Sequence, residues 1–460
     1  MDELRSKLFY EQKNGYDLID TAERIDAENY CRAYMRFLNE CRIEREAVDF
    51  AIELAKEQGF VEYRPGMALK AGDKVYQSNR GKALTLAVIG KKPLSEGAVI
   101  AGAHVDSPRL DLKQSPLSES EELAFFKTHY YGGIKKYQWV TIPLELHGVV
   151  ALRSGETVKV TLGRDADEPK FVITDLLPHL GQDQMRKTMA EGITGEGLRL
   201  LIGSAPYADE GKDRVKLAIL SLLNDLYGMT EEDFLSAELC AVPAFDVCEI
   251  GLDRSMIGGY GQDDRVCAFA ELQAILDVEA PERTCVCLLC DKEQIGSEGV
   301  TGMQSAAFDT FMKDLCESQN VPLRRCYEKS FCVSADVTAA YDPLYPEAFE
   351  KGNSSRLNYG IGLSKYTGSR GKSGTSDASA ELVAYLRRVF AEKKVVWQMA
   401  ELGKVDQGGG GTIAKFMAKR NIDTIDAGVP VLSMHAPFEV TAKLDCYMTY
   451  KGVLAVYEDK

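Results

Sequence analysis

Six consecutive apolar residues, Cys285-Val286-Cys287-Leu288-Leu289-Cys290, run straight into the polar stretch Asp291-Lys292-Glu293-Gln294-Ile295-Gly296-Ser297-Glu298-Gly299. A short apolar run closed by turn residues reads as a buried strand, and the polar residues after it as that strand's mouth. In open α/β sheets, ligands collect outside the carboxyl ends of such strands. A carboxylate at that edge acts as a general base where a nearby group makes a water molecule acidic enough to lose its proton. Metal ions have that effect, which directs attention to metal-ligating side chains at other strand ends.

The chain holds five histidines, His104, His129, His147, His179 and His435. Two of them close apolar runs. His104 follows Ala98-Val99-Ile100-Ala101-Gly102-Ala103 and is itself followed two residues later by Asp106. His435 follows Val429-Pro430-Val431-Leu432-Ser433-Met434. Aspartates in comparable positions are Asp263, in Gly261-Gln262-Asp263-Asp264-Arg265 just before a helical pattern, and Asp336, in Val333-Ser334-Ala335-Asp336-Val337.

Taken in order, His-x-Asp at 104–106, Asp-Asp-Arg at 263–265, Asp-x-Glu-x-x-Gly-Ser at 291–297, Ser-Ala-Asp at 334–336 and Ser-Met-His at 433–435 match one family. From about 104 to about 451 the chain resembles the aspartyl aminopeptidases, di-zinc exopeptidases that remove acidic N-terminal residues from peptides. The resemblance implies two zinc ions bridged by Asp263, one completed by His104 and Asp336, the other by Gln294 and His435. It implies Glu293 as the general base and Asp106 as the group that fixes the His104 tautomer from behind. Lys365 matches the residue that faces the acidic side chain of the substrate. His179 lies near a motif that, in the family, reaches a neighbouring subunit's active site. Asp264 is expected to cap the helix that follows it.

The chain departs from the family pattern at one of these positions. Where the family has Glu-Glu, this sequence has Glu293-Gln294. An amide oxygen ligates zinc but carries no charge, so the ion on the Gln294 side is expected to bind weakly, with activity stimulated by added zinc, cobalt or manganese. The same departure supports an alternative reading, a weakly active or inactive oligomeric relative. A third reading is another di-metal amidase, a carboxypeptidase or deacylase.

The expected fold is α/β, a mixed sheet flanked by helices and zinc-exopeptidase-like by resemblance, with an inserted β-rich domain. Helical periodicity covers 29–59, with Gly59 as C-cap, and strands are expected at 84–89 and 98–103. From about 109 to 245 short strand-like pieces such as 149–152 and 158–162 alternate with polar turns, and helical periodicity returns only at 215–227. The α/β alternation then resumes with a helix around 266–276, a helix at 376–390 capped by Ser376, a strand at 394–399 and a helix opened by the glycines 408–411 and running to 418. The catalytic domain is therefore expected to be discontinuous, 1–108 and 248–460, around an insert at 109–247. By resemblance the insert makes subunit contacts, which implies a homo-oligomer.

Seventy acidic against 55 basic residues give a formal charge of −15. That balance disfavours nucleic acid and a basic membrane-surface attachment as partners. It also means that a preference for acidic peptides has to come from a local positive cluster within roughly 10 Å of the substrate. Lys365, Arg370 and Lys372, within 362–372, supply one. No run approaches the roughly 18 apolar residues of a membrane span, and Met1 to Lys7 lacks a signal-peptide core, so a cytoplasmic setting is expected. Cys285, Cys287 and Cys290 read as packed thiols rather than metal ligands, since small apolar neighbours surround them.

Overall fold

The run 285–290 forms a strand, Cys285–Cys290, buried at every position. In the computed structural model, which describes residues 2–460, this strand pairs antiparallel with Ala83–Val88 and parallel with Val99–His104. Among the described residues the larger sheet has nine strands, in the order Val61–Glu62, Lys74–Asn79, Ala83–Val88, Cys285–Cys290, Val99–His104, Phe331–Ser334, Asp423–Gly428, Ile361–Ser364 and Trp397–Met399. The parallel register sets Cys290 beside His104, Gly102 beside Ser334 and Ser334 beside Asp426. The carboxyl ends of these strands therefore open along a common edge.

Alternation along each strand splits the interior into two cores. Val99, Ala101, Ala103, Cys285, Cys287 and Leu289 face one core with the helices Thr21–Glu40, Glu44–Glu57, Gln262–Asp277 and Lys443–Tyr457. Ile100, Val286, Leu288, Cys290 and Cys332 face the other, with Ala307–Ser318 and Ala414–Lys419. All three cysteines of the 285–290 run are thus packed as apolar residues, and the sheet is α/β with helices on both faces. The helix Gln262–Asp277 is buried on nearly every side, and its Phe269 packs against Tyr30, Tyr34 and Phe37 with ring centroids 5.2–5.7 Å apart. Truncating such a ring to alanine costs about 3–5 kcal/mol.

After His104 the chain leaves this sheet. A six-stranded sheet, ordered Thr157–Leu162, Leu144–Ala151, Ala237–Pro243, Arg109–Ser120, Leu123–Tyr131 and Arg199–Gly203, is built wholly from residues between Arg109 and Pro243. It has a core of its own around Phe126, Trp139, Leu146, Val160 and Phe234, with the helix Arg214–Tyr227 beside it. A third sheet of five strands joins Cys248–Ile250 and Met256–Gly259 to Glu439–Ala442, Pro430–Leu432 and Thr338–Ala339. No helix among the described residues is long and apolar enough to cross a membrane.

Four local expectations need correction. The helical stretch 29–59 is two helices, interrupted at 41–43 because Arg42 turns inward, fully buried, to pair with Glu145 at 3.0 Å. The helix expected from Ser376 begins at Ala380, and its cap is Ser379, whose hydroxyl accepts the Leu382 N–H at 3.1 Å. The strand expected at 394–399 is confined to Trp397–Met399, since Lys394 adopts a left-handed φ of 55° just past the preceding helix. The glycines at 408–411 do not open a helix directly. Thr412 gives its hydroxyl hydrogen to Asp426 at 2.6 Å and the helix starts at Ala414.

Candidate metal centre

His104, the last residue of its strand, is buried with its Nδ1 2.9 Å from the Asp106 carbonyl and 3.2 Å from Asp106 Oδ1. Both neighbours are acceptors, so Nδ1 carries the proton and Nε2 turns its lone pair the other way. What Nε2 meets there is also electron-rich. Asp263 Oδ1 is at 3.2 Å, Glu293 Oε2 at 3.6 Å and Asp336 Oδ1 at 3.9 Å. The ligand atoms of His104, Asp263 and Asp336 all lie within 4.8 Å of one another.

The second histidine repeats the arrangement. His435, held at a left-handed φ of 66° in the turn between Pro430–Leu432 and Glu439–Ala442, donates Nδ1–H to the Gly133 carbonyl at 2.7 Å. Its Nε2 lies 2.9 Å from Asp263 Oδ2. Asp263 therefore stands between two imidazoles, one oxygen toward each, at the start of Gln262–Asp277, where its peptide bond to Asp264 is cis. Gln294 adds a hydrogen bond from Nε2 to Asp263 Oδ2 at 3.1 Å.

Glu293 and Gln294 reach this place through Asp106. Their backbone N–H groups donate to Asp106 Oδ1 and Oδ2, each at 3.1 Å, after a left-handed turn at Lys292 with φ 66°. The fully buried Asp106 thus touches His104 and anchors the Asp291–Gly299 loop at once. Ser107 also donates its hydroxyl to the Asp263 carbonyl at 2.6 Å.

The electrostatics call for a cation. Asp106, Asp263, Asp264, Asp336, Glu293 and Glu439 crowd two histidines in a largely buried region. Burial, reinforced by Asp264 and Glu293, drives the Asp336 carboxyl far above its ordinary pKa. Burial pushes Glu293 up to about 7, with His104 opposing and Asp106 adding to the shift. For His435, burial alone would lower the pKa, but Asp263 outweighs it and raises the ring to about 9. Burial likewise works against ionised Asp263, yet the two imidazoles beside it, His104 and His435, hold its carboxyl low. His104 Nε2 and Asp263 Oδ1 have no hydrogen-bond partner among the described residues. A ring of buried carboxylates with two imidazole lone pairs aimed into it suits zinc, which takes nitrogen and carboxylate oxygen ligands.

Three contributors escaped sequence reasoning. Glu439, fully buried, accepts the His435 N–H at 2.7 Å and the Asp263 N–H at 3.1 Å, and burial pushes it up to about 8. Tyr131 donates its hydroxyl to Asp106 Oδ2 at 2.8 Å, and Gly133 supplies the carbonyl under His435. A carboxylate four residues after a strand-end histidine was a visible signal for Glu439. Nothing in the letters marks a glycine carbonyl. Asp264 also differs from its expected role as a helix cap. Its Oδ2 accepts the His104 N–H at 3.2 Å, so it braces the neighbouring strand end instead.

A cavity of about 630 Å³ opens from Asp263, Glu293 and His435 toward Gly409–Gly411, Lys415 and Lys419. Of the sequence-derived substrate contacts, Lys365 does not line it, although Ser364 and Thr367 on either side do. His179 sits exposed on a turn of the six-stranded region, away from the cavity.

The family model described as aminopeptidase I zinc metalloprotease (M18) matches residues 37–457. A relative from Clostridium acetobutylicum, named a probable M18 family aminopeptidase 1, is 48% identical over 457 residues, covering 97% of this chain and 98% of its own length. Among solved structures, an M18-family aminopeptidase from Thermotoga maritima superposes with a TM-score of 0.94 at 42% identity, covering 98% of this chain and all of its own. Aminopeptidase I from Clostridium acetobutylicum gives 0.92 at 46% identity, with the same coverages. Each of these is named an aminopeptidase, not a carboxypeptidase or deacylase.

Proposed function

The chain belongs to the M18 family of zinc metallo-aminopeptidases, and on that premise we propose that it removes acidic N-terminal residues, Asp and Glu, from peptides at a centre that takes two zinc ions. The observation that carries this reading is Asp263, whose Oδ1 is 3.2 Å from His104 Nε2 and whose Oδ2 is 2.9 Å from His435 Nε2. A carboxylate with one oxygen toward each imidazole is the form of a bridging ligand. His104 and Asp336 would complete one ion's protein ligands, Gln294 and His435 the other's.

Zinc, when bound, polarises the scissile carbonyl and lowers the pKa of water toward about 7. Glu293 takes the proton from the attacking water and passes it to the departing amine nitrogen, so that each turnover returns it to its starting state. A carboxyl poised near neutrality by burial is suited to both transfers. His104 is kept in one tautomer by Asp106, and His435 by the Gly133 carbonyl. Gln294 offers a neutral oxygen where a carboxylate would offer charge, so the ion on its side is held less tightly, and cobalt or manganese competes for it.

The acidic preference rests on Lys415 and Lys419 at the cavity wall, in a chain whose overall formal charge is −15. Assembly into a homo-oligomer fits the exposed Leu176, Leu177, Leu180, Met185 and Met189, an apolar cluster on the insert around His179.

Chromogenic Asp-, Glu-, Leu- and N-acetylated peptides, assayed with and without added zinc, cobalt or manganese, test the proposal. Cleavage of Asp and Glu peptides well above Leu, no cleavage of the acetylated peptide, and a selective loss on acidic substrates in Lys415→Ala are expected. Equal rates on Leu and Asp would overturn the acidic preference, and cleavage of the acetylated peptide would overturn aminopeptidase action.

A further inference from the structure

The antiparallel hairpin that leaves the nine-stranded sheet comes back to it. Arg109, five residues after His104, opens the strand Arg109–Ser120, and the returning strand Leu123–Tyr131 sets Tyr131 directly opposite Arg109. Tyr131-Gly132-Gly133 therefore finish beside the centre from which the hairpin departed. Each of the three touches a different part of it. The Tyr131 hydroxyl donates to Asp106 Oδ2 at 2.8 Å, and Asp106 in turn holds His104 and the backbone of Glu293 and Gln294. Gly132, at φ 76°, passes so close to Gln294 that a Cβ there would lie 3.2 Å from both Cβ and Oε1 of that side chain. The Gly133 carbonyl takes the Nδ1–H of His435.

The segment is itself anchored. The Arg109 guanidinium lies 4.2 Å from the centre of the Tyr131 ring, and its two ion pairs, to Glu44 and Asp111 at 2.7 Å each, keep it there. Glu44 belongs to the helix Glu44–Glu57, so the strap is tied to both parts of the molecule. Tyr131 is 7% exposed and its hydroxyl has Asp106 as partner, a placement that surface packing of the six-stranded sheet does not require.

We propose that Tyr131-Gly132-Gly133 is a positioning strap by which the insert sets the zinc affinity of the centre, Tyr131 acting through Asp106 on His104 and the Gln294 backbone, and Gly132-Gly133 on the Gln294 and His435 side chains. The inference rests on the two-zinc reading above. Groups that orient metal ligands from behind govern affinity because a misaligned imidazole or carboxylate forfeits part of its bond to the ion, and removing one weakens binding about 10- to 100-fold.

The test is competition for zinc between the full-length protein and a coloured chelator, together with melting of the zinc-free protein. Tyr131→Phe keeps the ring and removes only the hydroxyl. It is expected to weaken the tighter ion about ten-fold while the zinc-free melting temperature stays that of the wild type. Gly132→Ala forces a side chain onto a left-handed backbone against Gln294 and is expected to weaken the second ion instead. Tyr130→Phe, at an exposed neighbouring phenol, serves as the control and should titrate as wild type. A Tyr131→Phe protein with unchanged zinc affinity, or one that loses both ions equally with a lowered zinc-free melting temperature, overturns the strap and leaves the two-zinc reading standing. A wild-type chain that binds no zinc overturns both.

Discussion

Glu439 accepts the backbone N–H of Asp263 at 3.1 Å through one carboxylate oxygen and, through the other, that of His435 at 2.7 Å. A single buried side chain thus sets the distance between Asp263 and His435, from a strand of the third sheet.

Replacing Glu439 by Ala leaves two buried N–H groups without acceptors, at a cost of about 1–3 kcal/mol each. The Glu439→Ala protein is expected to melt at a lower temperature and to lose zinc on the His435 side. Zinc content after gel filtration, read beside a thermal melt, checks both. Retention of full zinc content would show that Glu439 is not needed to place the ligands.

Asp106 holds the backbone of Glu293 rather than its carboxylate, which lies 3.6 Å from His104 Nε2, beyond hydrogen-bond distance. Glu293→Gln is therefore expected to fold and bind zinc as the wild type does while kcat falls by about 10²–10⁴. Steady-state kinetics with metal analysis on the same preparation decides it, and unimpaired turnover would remove Glu293 from the chemistry.

Gln294 faces Asp263 through its Nε2. Substituting Glu restores a carboxylate and adds negative charge beside the ion, which favours divalent metal. Gln294→Glu is expected to retain a second zinc through dialysis against a chelator that strips it from the wild type, and to depend less on added metal. Two ions held equally tightly in the unaltered protein would refute the expected asymmetry.

A pH dependence of stability arises away from the centre. His147 lies 2.7 Å from Glu46 and 3.2 Å from Glu145, and Arg42 pairs with Glu145 at 3.0 Å, so this buried cluster joins the first helices to the six-stranded sheet. Burial alone lowers the His147 pKa, but the two carboxylates outweigh it and raise it above 6.5. A raised histidine stabilises the fold fully below its unfolded pKa and ceases to do so as pH climbs through the folded value. Glu46 is shifted the opposite way, since His147 overcomes the effect of burial and holds it below 4.5, so its contribution is lost only in acid. Melting temperature is expected to fall as pH rises above about 6.5 and through the raised value of His147, and His147→Gln should flatten that slope. A wild-type melt independent of pH across this range would count against the pairing.

Much of the architecture is written in local pattern. The run 285–290 announces a buried strand because nothing polar interrupts it, and residues at strand mouths, such as His104 and Asp336, are conspicuous against apolar neighbours. What escapes the letters is decided by register or by backbone atoms. Ser376 and Ser379 are equally good caps by composition; the second wins because the Ala378 N–H is drawn to the Lys365 carbonyl at 2.7 Å, which fixes where the chain can turn. Arg42 looks like a surface residue of a long helix until Glu145, over a hundred positions away, gives it a partner. The nearness of Tyr131 to Asp106 follows from the length of a hairpin, and the Gly133 carbonyl is common to every residue type.

The third sheet pairs Met256–Gly259 with Glu439–Ala442, and the histidine turn hangs from the second of these strands. Translation delivers His104 long before His435, so a chain cut short before that strand lacks both the histidine that faces Asp263 and the carboxylate that places it. Proteolytic competence is consequently expected to wait for the strand that carries Glu439, however early His104 is made.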